Sequence, residues 1–78
     1  RILSAESVAQ QIIEDLERQK SRAPFRSGIV IRCEKEVAGR LQAKDMQERL
    51  QAIVHHDVIV EDNGALMREG YSILGDGD

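Results

Sequence analysis

Tryptophan is absent from this chain of 78 residues, and phenylalanine, tyrosine, cysteine and proline occur once each. With so few aromatics the core must be thin and aliphatic, drawn from the 41% of residues that are hydrophobic, and such a short domain is only marginally stable by itself. The same scarcity removes the platforms on which unpaired bases stack. A lone Cys33 builds neither a disulfide framework nor a thiolate metal site, which fits a reducing cytoplasm. No apolar run approaches the roughly 20 residues that cross a bilayer, and the start lacks the basic, apolar and small-residue blocks of a secretory signal. The expectation is therefore a soluble chain without membrane insertion. Gly28, Gly39, Gly64 and Gly70 are too scattered to cradle a phosphate, and neither a Walker loop nor a dinucleotide fingerprint is present.

Charge is unevenly spread. Up to Val54 the chain holds ten Lys and Arg against eight Asp and Glu, whereas from His55 onward Arg68 alone faces six acids. An acidic C-terminal part repels phosphate backbones and favours basic partner surfaces, so nucleic-acid binding is disfavoured.

Ser4 is a good helix N-cap, Leu3 and Val8 stand at hydrophobic-staple spacing, and Glu6 lies in the first turn where the helix dipole favours an acid. Ala5, Val8, Ala9, Ile12, Ile13 and Leu16 then recur at three-and-four spacing as one apolar stripe, with Glu14 and Arg18 placed to pair on its flank. The basic residues Arg18, Lys20 and Arg22 suit the end of this helix, and Pro24 stops it near Ser21. After a connector, Gly28 opens a strand through Cys33 whose near-continuous apolar character predicts a central strand covered on both faces. Val37 and Leu41 keep helical spacing, but Met46 comes five residues later, before Leu50 and Ile53 resume it. Two short helices, or one kinked near Lys44-Asp45 with Asp45 as N-cap and Glu48 three residues on, account for the shift.

Val58 to Val60 reads as a second strand, Asn63-Gly64 as a turn, and Tyr71 to Leu74 as a third strand, with Ala65 to Arg68 a hairpin arm or one helical turn. The fold class is thus mixed α/β, or α+β: helix, strand, broken helix, strand, strand, with a three-stranded sheet. A right-handed crossover would set Ile29 to Ile31 parallel to Val58 to Val60. The whole of 1–78 reads as one domain, a helix over 1–22, an α/β core over 28–74 and a loose tail over 75–78. Because it begins at Arg1 and runs directly into a helix, it also reads as a segment of a longer protein.

His55-His56-Asp57 invites a metal or a proton relay, but the rings of adjacent residues diverge and no helical His pair at four-residue spacing exists. A solvated helix-to-strand junction is the simpler reading. Cys33 and His55 would form a thiol and base only if brought together, and a thiol within an apolar run disfavours the thiolate. Asp62-Asn63-Gly64 opens like a calcium loop but lacks the later bidentate acid. Arg18, Lys20, Arg22 and Arg26 cluster, and compensation of the helix dipole explains most of that. The chain is therefore expected to be non-catalytic and to need no cofactor.

The segment from Ile29 to Leu41, Ile-Val-Ile-Arg-Cys-Glu-Lys-Glu-Val-Ala-Gly-Arg-Leu, followed by Val58-Ile-Val-Glu-Asp62 and then Leu66 and Gly70, is similar to the C-terminal domain of the stator proteins that regulate the flagellar and type III secretion ATPases. The resemblance covers roughly the last fifty residues. It implies a non-catalytic protein whose long N-terminal helical arm lies outside this segment. It also implies a domain seated against the N-terminal region of the ATPase, tethering and restraining it in protein export. The order strand, two helices, strand, strand also resembles a KH-type RNA-binding domain, but Gly39 has no second glycine three residues on to make the GxxG loop.

The expectation is an adaptor-like protein–protein interaction module that docks through an apolar helical or strand face and whose partner is another protein, an export ATPase or a second copy of this chain. Val8, Ile12 and Leu16 serve either the internal core or a partner seam, and Arg26, Glu61, Asp62 and Glu69 are candidate rim charges.

Overall fold

A computed structural model describes residues 4–64 and 70–75, and among them three helices and a three-stranded mixed sheet form a small α+β domain. Helix α1 spans Ala5–Arg22, with Ser4 as its N-cap, the Ser4 Oγ accepting from the Ser7 amide at 3.1 Å. Its six predicted stripe residues are all buried. The helix ends at Ala23, which is extended at φ −162° and ψ 140°, the backbone region to which a following proline confines its neighbour. Arg18 turns to Asp15 at 2.6 Å and not to Glu14 as expected, because the i,i+3 carboxylate lies nearer the guanidinium.

Strand β1 is Ile29–Cys33, β2 is Val58–Asp62 and β3 is Tyr71–Gly75. The sheet order is β2-β1-β3, with β1 central. β1 pairs parallel to β2 in the register Ile29↔Val58 to Ile31↔Val60 that the crossover reading required, and antiparallel to β3. The strands flanking Asn63-Gly64 therefore run in opposite directions but are not neighbours, since β3 joins the far side of β1. Gly75 belongs to β3 and not to a tail. Leu3, Ala65 to Glu69 and 76–78, on which a staple, a hairpin arm, a rim charge and the rest of the tail were expected, lie outside the described residues.

The crossover is two helices, α2 over Lys35–Leu41 and α3 over Lys44–Val54. Their break falls at Gln42-Ala43, two residues before the expected one. Ala43 is the N-cap of α3 and makes no side-chain cap bond, while Asp45 sits inside the first turn, where its charge complements the dipole. The change of helix lets Val37, Ala38 and Leu41 and then Leu50, Ile53 and Val54 all reach one core.

That core joins the helices to one face of the sheet: Ile29, Ile31 and Cys33 are buried among Val8, Ile12, Leu16, Val37, Leu41 and Leu50, and Val58, Val60, Tyr71 and Ile73 pack against them. The result is two layers. The expectation that β1 is covered on both faces is corrected, for its burial alternates and Arg32 stands exposed between buried Ile31 and Cys33. Among the described residues nothing lies over the other face of the sheet.

Candidate functional site

Strand alternation sends Val30 and Arg32 of β1, Ile59 and Glu61 of β2, and Ser72 and Leu74 of β3 to the face away from the helices. The register then sorts them into two rows. Val30 stands opposite Ile59 on one side and Leu74 on the other, while Arg32 stands opposite Glu61 and Ser72. An apolar row therefore crosses the full width of the sheet beside a polar one. Ile59 is 45% exposed and Leu74 44%, and no other large hydrophobic among the described residues is as open. Arg32 Nε donates to Glu61 Oε1 at 2.9 Å with both side chains about half exposed, so the pair orders the polar row and adds under about 1 kcal/mol.

The end of this face is set by Gly28. A Cβ there would stand 2.7 Å from the Asp57 carbonyl oxygen and 3.4 Å from Asp57 Cβ, so β1 and β2 meet at a point that only glycine leaves room for. The same Asp57 carbonyl accepts from the Ile29 amide at 2.9 Å and starts the parallel ladder.

The residues singled out from sequence divide. Val8, Ile12 and Leu16 are fully buried, so of the two roles open to them the structure assigns the internal core and leaves them no surface for a partner. Glu61 lies on the bare face, paired to Arg32. Asp62 is exposed at the end of β2, beside Cys33 in register, and Arg26 is exposed in the connector before β1. Glu69 lies outside the described residues. Val30, Ile59 and Leu74 were missed as surface residues because an apolar run such as Val58-Ile59-Val60 does not say which of its sides is covered.

The candidate chemistry does not assemble. His55 and His56 turn apart: His55 Nε2 lies 3.4 Å from Lys20 Nζ, while the His56 ring donates to the Phe25 carbonyl at 3.0 Å. Cys33 sits at the opposite end of the sheet from them, since Asp57 and Asp62 are separated by five strand steps, about 16 Å. Burial above all, with Asp62 and Glu34 adding to it, pushes the Cys33 thiol up to about 11, so it is protonated at neutral pH. Among the described residues no three His, Cys, Asp or Glu side chains come together to hold a metal ion, and no helix is long and apolar enough to cross a membrane. A surface hollow of about 510 Å³ between Ser4, Glu6, Glu36 and Arg40 is open and ringed by charges of both signs. No family model, curated protein or solved structure matches the chain.

Proposed function

We propose that the chain is a non-catalytic, cytoplasmic docking module that binds another protein through the bare face of its sheet. The carrying observation is the row Val30-Ile59-Leu74, an apolar strip spanning three strands and bordered by an ion pair, the arrangement of an anchor with a polar rim. The stretch Ile29 to Leu41 with Val58 to Asp62 supports a narrower reading, a regulator of a flagellar or type III export ATPase, with the ATPase N-terminal region as the partner.

Calorimetric titration of the purified chain with the N-terminal region of an export ATPase, beside a single-stranded RNA, tests this. Saturable ATPase binding that falls about tenfold or more in the double variant Ile59→Gln/Leu74→Gln supports the reading. RNA binding that weakens steeply with added salt, together with no ATPase binding, overturns it in favour of the KH-like alternative.

A further inference from the structure

Building on that docking reading, we infer that the bare face receives a single amphipathic helix of the partner, with basic residues flanking its apolar stripe. Parallel strands are as a rule covered on both faces, and β1 and β2 pair in parallel with one face uncovered. The layer that completes them on the helix side is helical, and the geometry of the bare side suits the same solution.

Size selects one helix. Three strands at about 4.8 Å spacing and five residues at about 3.3 Å make a face of about 14 by 17 Å. That footprint is well short of the roughly 800 Å² per partner of a standard interface, so stacking two copies of the chain on this face alone makes no stable dimer. The apolar row spans two strand spacings, about 10 Å, which two turns of helix match at about 5.4 Å each. A helix laid along the row thus sets residues i, i+3 or i+4, and i+7 over Ile59, Val30 and Leu74 in turn.

Charge selects its flanks and disfavours a second copy. Asp57, just before β2, and Glu61 within it bracket Ile59, and among the described residues the one cation of the face, Arg32, is already held by Glu61. With Arg32 and Glu61 offsetting each other, what remains at the β2 side of this face is the exposed negative charge of Asp57. Two copies stacked about an axis along the strands would place Arg32 over Arg32. About an axis across the strands, Glu61 would come over Asp57. Each arrangement sets like charges together, whereas Lys or Arg beside an apolar stripe meets Asp57 and Glu61 with opposite sign.

Methyl NMR of the intact chain provides the test, with two designed helical peptides of about 18 residues that share one leucine stripe and differ only in Lys or Glu flanks. The Lys-flanked peptide is expected to shift the methyl signals of Val30, Ile59 and Leu74. Its affinity should drop about tenfold in Ile59→Gln/Leu74→Gln and about two- to threefold in Asp57→Asn, with the fold of each variant checked by circular dichroism. Equal or tighter binding of the Glu-flanked peptide, or shifts confined to other surfaces, overturns the inference. If neither peptide binds while ATPase binding still depends on Ile59 and Leu74, the helical occupant is wrong and the docking face stands. If ATPase binding ignores both residues as well, both fall.

Discussion

Tyr71 donates its hydroxyl proton to Asp15, which also accepts from Arg18, so β3 is fastened to α1 by a three-membered polar clamp at the rim of the core. The Tyr71 hydroxyl is the largest influence holding the Asp15 carboxyl below its ordinary 3.8, burial opposes it, and Arg18 adds to the lowering. Burial first, and the bond to Asp15 next, pushes the Tyr71 phenol up to about 12. The two shifts act on opposite limbs of stability. Asp15 has a depressed folded-state value, so its contribution is present above the ordinary carboxylate range and is lost as pH falls through that folded value. Tyr71 has a raised value, so its contribution holds below pH 10 and is lost as pH rises toward about 12. Tyr71→Phe is expected to cost about 1 kcal/mol at neutral pH and to flatten both limbs, read from urea midpoints across pH. An unchanged acid limb would mean that the clamp does not tie the element down. Gly28→Ala acts at the other end of the sheet: its methyl meets the Asp57 carbonyl, and a loss of about 1–3 kcal/mol with faster exchange of the Ile29 amide is expected. The clamp was not legible in sequence, because Asp15 and Tyr71 lie 56 residues apart and only the tertiary fold brings them together.

The elements themselves were largely legible. Ser4 and Pro24 bracket α1 with capping and steric signals that act within a few residues, and the structure follows them. The break between α2 and α3 was legible as an event but not in its position. Asp45 has the chemistry of an N-cap, yet a start at Lys44 puts Met46 half-buried against the core and turns Leu50, Ile53 and Val54 fully toward it, and packing outweighs one capping bond. His55 ends α3 in the left-handed region at φ 60°, a conformation that sequence alone would have given to glycine. Gly39, by contrast, lies exposed inside α2 with open space around its missing Cβ. Gly39→Ala is therefore expected to stabilise the fold by about 0.5–1 kcal/mol, measured by thermal or urea unfolding, since it removes backbone freedom from the unfolded chain and meets no neighbour. A loss of stability there would contradict the position of α2.

At the scale of the whole molecule, the described residues form a sheet dressed on one side. The apolar run Ile29-Val30-Ile31 carried a signal for burial on both faces, and the helices of this chain satisfy only one. In the sequence a docking surface reads as an apolar helical or strand face rimmed by Arg26 and acids, but the apolar residues that can be named for it are those of α1, because amphipathic periodicity is visible at helical spacing. Whether Val30, Ile59 and Leu74 face a layer or solvent depends on how many layers the chain can build. Of the candidate face only Glu61 was found in advance; the apolar row became visible once register placed three separated residues in line. The most direct measurement is methyl relaxation by a soluble paramagnetic chelate, with and without the export ATPase domain. In the free chain the Ile59 and Leu74 methyls should relax strongly while those of Leu16 and Leu50 stay shielded, and adding the ATPase domain should shield Ile59 and Leu74 as well. Ile59 and Leu74 methyls already shielded in the free chain, or left equally open in the complex, would contradict a bare sheet face that serves as the docking surface.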